Sequence, residues 1–190
     1  LRELTEHFFG ASSRTATEDQ LYDAVLVKLA DDMETAVRAE LSARFANAPD
    51  APHTLIRRLA NDEAAVAGAV LAASPVLTDE DLLGVVRRHG QDHLRAVSAR
   101  PSVSEAVSEV IVERGDDETL GTLLRNDGAR LSRKASEAAV ERAKTNPDLH
   151  EATGGRPDRS ARWREYSSAT GFRTPVLVSF PTTAIPAMSP

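Results

Sequence analysis

Two consecutive stretches of the sequence decide the fold. They read LTDEDLLGVVRRHGQDHLRAVSARP from Leu77 to Pro101 and VSEAVSEVIVERGDDETLGTLLRND from Val103 to Asp127. A shift of 26 residues aligns Thr78 with Ser104, and both residue types favour the N-cap of a helix. The same shift superimposes four apolar positions: Val85 on Ile111, Val86 on Val112, Leu94 on Leu120 and Val97 on Leu123. The two stretches therefore predict one structural unit that occurs twice.

Each copy indicates two short helices joined by a turn, at His89-Gly90 in the first and at Gly115-Asp116 in the second. A glycine within one residue of a helix end is typical of a left-handed C-cap, and we expect that conformation here. Helices shorter than about 12–15 residues are marginal alone in water, so each pair must bury its apolar side on the next. The predicted fold is all-α: a short α-solenoid of HEAT-like helix hairpins with an N-terminal helical segment.

The repeat extends in both directions. Upstream, PHTLIRRLAND and EAAVAGAVLAAS predict a helix and its partner, and Ser74-Pro75 ends that pair 26 residues before Arg100-Pro101. Downstream, a weaker fourth unit opens at Leu131-Ser132 and runs to about Leu149. We place the helical-repeat domain at residues 47–153.

Residues 1–46 are predicted to form a separate N-terminal helical segment. A short helix ends at Gly10, and a capping box begins at Thr17 with Gln20 three places on. Apolar residues then recur at every fourth position, which predicts one long helix or two helices broken at Asp31-Asp32: Leu21, Val25, Leu29, Met33, Val37, Leu41 and Phe45. A stripe stepped by four drifts around a helix of 3.6 residues per turn, so it can serve more than one neighbour. A homodimer through residues 1–46 is therefore one expectation.

The last segment, residues 154–190, differs in composition from the rest. It holds five of the ten prolines and four of the eight aromatic residues, and no helical stripe is visible. We predict an irregular tail, either poorly ordered or a non-native replacement of the natural ending. Both alternatives stay open.

Composition narrows the class of protein. Apolar residues make up 41% of the chain and aromatic residues 4%, which favours helices packed through Ala, Val and Leu. The net charge of −6 argues against a general affinity for nucleic acids. The absence of cysteine excludes disulfides and Cys-ligated metal sites, and it agrees with the expected cytoplasmic location. No apolar run approaches the roughly 20 residues that span a membrane.

The run from Glu40 to Ser132 resembles an uncharacterised bacterial family that is common in alphaproteobacteria and known as a domain of unknown function. The likeness extends from about Leu4 to Asp158 and is clearest in LIRRLAND, LTDEDL and VSEAVSEVIVERGD. The resemblance implies an all-helical, HEAT-like repeat fold, and it brings no known catalytic residue, substrate or cofactor. After Arg156–Asp158 the family pattern continues with another helix, and this chain departs from it there.

Two arginine pairs are the candidate partner-binding residues. Arg57-Arg58 and Arg87-Arg88 each end a predicted first helix, where cations complement the free carbonyl groups. If they align across neighbouring units, their guanidinium groups offer a ridge of donors to a carboxylate or phosphate. The competing interpretation is that they belong to an ordinary solvated face.

The histidines give no predicted metal site. His89 and His93 have a ligand-like spacing of four, but Gly90 lies between them at a helix break, so we expect them not to share a face. The acidic clusters at Asp79–Asp81 and Asp116–Glu118 are assigned to helix starts, where negative charge suits the helix dipole. We predict no catalytic, cofactor-binding or metal-binding residue.

The sequence therefore favours a non-catalytic protein–protein interaction module or scaffold, with an unidentified protein or peptide as partner. The alternative is a nucleic-acid-binding helical-repeat protein, which the acidic net charge disfavours. An enzyme is not expected, because no nucleophile motif or phosphate-binding loop is present. No cofactor and no membrane association are expected either.

Overall fold

A computed structural model describes residues 2–10, 14–146, 148–149 and 152. These residues lie in one compact unit, Leu1–Gly155. The predicted irregular tail at residues 154–190 falls outside the described residues.

The described part of the chain is all-α, as predicted. It contains ten helices and no strand, with one isolated bridge between Val103 and Ala129. The helices are α1 (Arg2–Gly10), α2 (Ala16–Asp31), α3 (Thr35–Phe45), α4 (His53–Ala60), α5 (Ala64–Ala73), α6 (Asp79–Arg88), α7 (Gln91–Ser98), α8 (Glu105–Arg114), α9 (Asp117–Arg125) and α10 (Arg133–Ala143).

The helices pack in pairs and in two rows. The two helices of a pair pack against each other in α4–α5, α6–α7 and α8–α9. In one row α2 packs on α4, α6 on α8 and α8 on α10, while in the other row α3, α5, α7 and α9 pack in succession. Most helices from α3 to α9 therefore contact the second helix along the chain, and those of one pair contact each other, as expected of repeated helix pairs.

Two sides of this arrangement matter below. We call the loops inside the pairs, residues 32–34, 61–63, 89–90 and 115–116, the turn edge. We call the loops between successive pairs, residues 46–52, 74–78, 99–104 and 126–132, the junction edge.

The alignment of the two repeats is confirmed. Thr78 and Ser104 are the N-caps of α6 and α8, and each side chain accepts a hydrogen bond from a backbone amide three residues on. Ser132 caps α10 in the same way, so the next unit opens where predicted. The eight aligned apolar residues are all buried: Val85, Val86, Leu94, Val97, Ile111, Val112, Leu120 and Leu123. They belong to one core that continues from Phe8 to Ala152.

The prediction of a left-handed conformation at the two glycines was wrong. Gly90 has φ −87° and ψ −171°, and Gly115 has φ −68° and ψ 143°, so both are extended. The helices α6 and α8 end where the chain enters an extended conformation, which needs no positive φ. At Gly115 the requirement is space, because an added Cβ would lie 2.6 Å from the Ile111 carbonyl oxygen and 3.1 Å from Cγ2 of Thr119.

The start of α2 also differs from the prediction. The N-cap is Thr15 rather than Thr17, and its capping box closes with Glu18. Glu18 completes the box because its carboxylate accepts both the amide and the hydroxyl of Thr15, at 2.7 and 2.9 Å. Glutamate is as good a third residue as glutamine, so the motif occurs twice in this short run and geometry selects one.

The stripe of apolar residues in the first 46 positions is divided between α2 and α3, so the chain does break after Asp31. Leu41 and Phe45 in α3 are buried, whereas Leu21, Val25 and Leu29 in α2 are exposed. Residues of one periodic pattern thus lie in two different environments, exposed in α2 and buried in α3. Whether residues 1–46 form a separate domain stays a prediction.

Candidate functional site

The four candidate arginines lie in the last turns of α4 and α6, as predicted. Arg57, Arg87 and Arg88 are exposed, and none of them forms an ion pair with the residues that the structure describes. Arg58 differs, because its Nε lies 3.0 Å from Asp31 and its Nη1 lies 3.4 Å from Asp62. The four arginines therefore comprise three free cations and one structural cation.

Arg58 joins a cluster around Asp62, whose side chain is only 6% exposed. Arg38 holds Asp62 with two hydrogen bonds, of 2.8 and 3.0 Å, and also donates to the Met33 carbonyl at 2.6 Å. Burial pushes the pKa of Asp62 upward, but the hydrogen bonds from Arg38 and the Glu63 amide outweigh it and hold that pKa below its ordinary value. This cluster connects α3 to the α4–α5 turn.

His89 and His93 come together at the next turn, against our expectation. Their rings stack with centroids 4.3 Å apart and an angle of 18° between planes. His89 is the C-cap of α6 and His93 lies in the first turn of α7, so the turn at Gly90 brings the two rings face to face. The expectation was wrong because two residues on opposite sides of a helix break can meet when the chain folds back on itself.

Both imidazoles bond to the preceding pair. His93 Nε2 donates to the Asp62 carbonyl at 2.8 Å, and His89 Nε2 donates to Asn61 Oδ1 at 3.2 Å. Burial lowers the pKa of His89, and the neighbouring charges of His93 and Arg88 lower it further. The pair is therefore a connection between α4–α5 and α6–α7, in which the lowered pKa of His89 favours its neutral ring.

The following interfaces along the turn edge use other side chains. Gln91 donates to the Arg114 carbonyl at 2.9 Å and accepts from the Asp116 amide at 2.8 Å, while Arg114 donates to the Val86 carbonyl. Arg142 of α10 donates to the Gly115 carbonyl at 2.7 Å. Arg114 and Arg142 thus each satisfy a carbonyl at a helix end of the unit before them, whereas Gln91 bonds forward to the unit that follows it.

The junction edge has an equivalent series. Arg100 is 8% exposed and donates to the carbonyls of Leu71 and Ser74, at 2.6 and 2.7 Å. Asn126 donates to the carbonyls of Ser98 and Arg100, at 2.8 and 2.6 Å. Each donor lies 26 residues after the last carbonyl it binds, which is the period of the repeat.

These connecting residues were missing from the sequence prediction. The signal that could have found them is the coincidence of Ser74, Arg100 and Asn126 at the repeat period. The sequence did not indicate hydrogen bonds between these positions, because the residue types differ and the acceptors are backbone carbonyls.

A cleft of about 390 Å³ lies between α2 and α4, lined by Gln20, Asp23, Ala24, Val27, Lys28, Asp31 and Thr54. Two of its carboxylates are already engaged, since Asp23 accepts the Leu55 amide at 3.0 Å and Asp31 pairs with Arg58. Across residues 2–10, 14–146, 148–149 and 152, no group of three His, Asp, Glu or Cys side chains could hold a metal ion. None of the helices described is long and apolar enough to cross a membrane.

Comparison with protein families identifies a match. Residues 66–166, more than half of the chain, match the model of a family described as uncharacterised proteins conserved in bacteria, DUF2336. The chain belongs to this family. Comparison with curated proteins and with solved structures gives no match.

The part that matches DUF2336 begins in α5 and includes both connecting series from His89 onward. It also includes Arg87 and Arg88, whereas Arg57 and helix α2 precede it. The family therefore covers the second arginine pair and the interface of α6–α7 with α8–α9, while the partners of His89 and His93 in the α4–α5 turn precede the matched region.

Proposed function

We propose that the protein is a non-catalytic interaction module of HEAT-like repeats that binds an acidic segment of a partner protein. The proposed contact residues are Arg57, Arg87 and Arg88. The observation that carries the proposal is that these three guanidinium groups are exposed and unpaired, while Arg38, Arg58, Arg100 and Arg114 are used within the fold.

The placement of α4 and α6 supports this proposal. His53 Nε2 lies 2.8 Å from Asp81 near the starts of the two helices, and Asn61 meets His89 at their ends. These contacts place the last turns of the two helices at the same edge, and those turns carry Arg57 and the Arg87–Arg88 pair. A planar guanidinium fork is suited to carboxylates, which favours an acidic protein segment.

The non-catalytic part of the proposal rests on how the buried polar groups are used. Asp62, His93 and Arg100 form hydrogen bonds to neighbouring helix pairs, so these polar groups connect the repeats. A cytoplasmic location remains part of the proposal, since the chain contains no cysteine.

The test is crosslinking in the native host with the full chain and two charge-reversed variants. R57E/R87E/R88E removes the proposed contacts, and R125E/R130E removes two other exposed arginines that form no ion pair within the described residues. We expect the first variant to lose a crosslinked acidic partner that the second keeps. Retention of every partner by the first variant, or equal loss from both, contradicts the proposal.

Salt dependence and a gel shift separate the two classes of partner. Binding through three arginines to an acidic protein should weaken as salt screens the charges. Retardation of nucleic acid at low salt by the wild type, abolished in R57E/R87E/R88E, would replace the acidic protein with a nucleic acid as the ligand of this surface.

A further inference from the structure

Helix α2 carries an apolar stripe that no described residue covers. Leu21, Val25 and Leu29 are exposed by 65%, 38% and 37%, and they follow one another at every fourth position. Single exposed apolar residues are ordinary on protein surfaces, but a contiguous apolar patch is typical of an interaction site. The stripe spans eight residue steps, about 12 Å along the helix axis.

The stripe faces away from the rest of its row. Asp23 and Asp31 contact α4 through the Leu55 amide and Arg58, so the side of α2 that carries these residues faces α4. Leu21 and Leu29 each precede one of them by two positions, and two positions correspond to about 200° around a helix. The stripe therefore lies on the side where an additional helix of the row would pack.

Helix α2 is also the first helix of its row, which gives it a neighbour on one side. Helix α8, by contrast, packs between α6 and α10. Helix α1 contacts Tyr22 of α2 through Phe8, with ring centroids 5.3 Å apart, but it leaves the stripe exposed. The end of the row thus resembles an interior helix that lacks one partner.

We propose that the occupant of this stripe is α2 of a second copy of the chain, packed antiparallel about a two-fold axis. The charges at the two ends of the stripe select this arrangement, because Glu18 and Lys28 are both exposed. Glu18 lies one turn before Leu21, and Lys28, which stands at the rim between the stripe and the α2–α4 cleft, lies one turn after Val25. With the axis between Leu21 and Val25, Leu21 of each copy faces Val25 of the other, and Glu18 faces Lys28.

The alternative arrangements place like charges together. A parallel pair brings Glu18 onto Glu18 and Lys28 onto Lys28. An antiparallel pair centred on Val25 brings Glu18 opposite Asp32, which is also exposed. Like charges across an interface disfavour a wrong register, and the proposed register is free of that repulsion.

So short a stripe buries less than the roughly 800 Å² per partner of a standard interface, so we expect a dissociation constant in the micromolar range. Sedimentation equilibrium of the full chain across about 1–200 µM should show a monomer–dimer equilibrium, and V25D should raise the dissociation constant at least tenfold. Q20D is the matched control, since Gln20 is exposed on the cleft side of the same helix, and it should leave the dissociation constant unchanged.

The register is tested by cysteine crosslinking, for which the cysteine-free chain gives no background. An equimolar mixture of the L21C and V25C variants should form the mixed disulfide faster than either variant crosslinks with itself. A monomer at every concentration, or a dimer that survives V25D in a variant with wild-type circular dichroism, overturns the proposal. Dominant V25C–V25C or L21C–L21C products overturn the register. R57E/R87E/R88E should dimerise normally, so the two proposals fail or succeed separately.

Discussion

Two successive interfaces of the fold do the same job with different chemistry. Between α4–α5 and α6–α7, the turn edge is joined by His89 and His93 and the junction edge by Arg100. Between α6–α7 and α8–α9, the corresponding connections are made by Gln91 with Arg114, and by Asn126. Both interfaces bury apolar residues, through α5 with α7 in the first and through α7 with α9 in the second, and their polar groups at the two edges differ.

At the junction edge the repeat fixes the position of the connecting side chain, Arg100 and then Asn126, but leaves its type free. At the turn edge, by contrast, both position and type differ. Any donor that reaches the free carbonyls of the preceding helix end can satisfy them. The choice then decides how the interface responds to its surroundings. Imidazole titrates near neutral pH, whereas an amide does not titrate and a guanidinium stays charged.

The largest effect is expected at the junction edge of the first interface. R100M keeps an apolar stem but leaves the Leu71 and Ser74 carbonyls without their donor in a buried position, at about 1–3 kcal/mol for each unpaired group. N126A should cost less, because Asn126 is half-exposed and water can reach its two carbonyls. Urea unfolding of both variants measures the difference.

The control for this comparison is R87M, which removes an exposed arginine and should change the free energy of unfolding by less than about 0.5 kcal/mol. Equal losses in R100M and N126A would mean that burial does not distinguish the two interfaces.

The next effect concerns Gly128, which belongs to the second interface alone. An added Cβ there would lie 1.9 Å from the Pro101 carbonyl oxygen, so G128A must move the backbone that forms the Val103–Ala129 bridge. We expect a loss of about 1–3 kcal/mol, typical of overpacking. G84A is the matched change, since a Cβ at Gly84 inside α6 meets nothing within 4 Å.

Because alanine is a better helix former than glycine, G84A should raise the free energy of unfolding by about 0.5–1 kcal/mol. Thermal melts of the two variants should therefore shift in opposite directions. A neutral G128A would show that the second interface tolerates a shift of its junction loop.

The pH response should distinguish the interfaces next. The pKa of His89 is lowered in the folded chain, so the unfolded chain binds more protons as the pH falls through the histidine range. The free energy of unfolding should therefore decrease below about pH 6.5. His89 donates through Nε2, so an added proton goes to Nδ1 and places a charge on a ring that is stacked against His93.

H89Q retains a donor near Asn61 but cannot titrate, and it should flatten the change in stability between about pH 7.5 and about pH 5.5. The carboxylates with lowered pKa values, such as Asp62 and Asp116, stay ionised in this window and contribute their loss at more acidic pH. An unchanged slope in H89Q would assign the response to other groups.

The smallest effect separates the two members of the first arginine pair. R58A breaks the contacts to Asp31 and Asp62 and should lower the free energy of unfolding by about 0.5–1 kcal/mol, as for a partly exposed ion pair. R57A should have no measurable effect on stability. Chemical denaturation under identical conditions measures the free energy of unfolding of both variants. Equal values for R58A and R57A would mean that the contacts of Arg58 to Asp31 and Asp62 do not stabilise the fold.

Several features of the fold were predictable because they depend on local chemistry. The N-caps at Thr78, Ser104 and Ser132 follow from side chains that satisfy the first turn of a helix, whatever the rest of the chain does. The buried positions follow from the helical period of apolar residues. The last-turn placement of Arg57, Arg58, Arg87 and Arg88 follows from the same two signals.

Other features depended on residues far apart in the chain. Thr15 and Thr17 both satisfy the pattern of a capping residue, and Thr15 is the N-cap in the structure. The stacking of His89 on His93 requires the turn between α6 and α7 to be folded. The separation of Arg58 from Arg57 requires Asp31 and Asp62 to come from two other elements.

Helix boundaries, caps and the period of the repeat were thus encoded in neighbouring residues, because they report interactions within one or two turns. Which apolar positions stay in water, which arginines remain unpaired and which carbonyls receive a distant donor depended on how the helix pairs stack. Leu21 and Leu41 share one periodic stripe, yet the first is 65% exposed and the second is fully buried. Burial is a property of the neighbours, and neighbours at long range are set by packing.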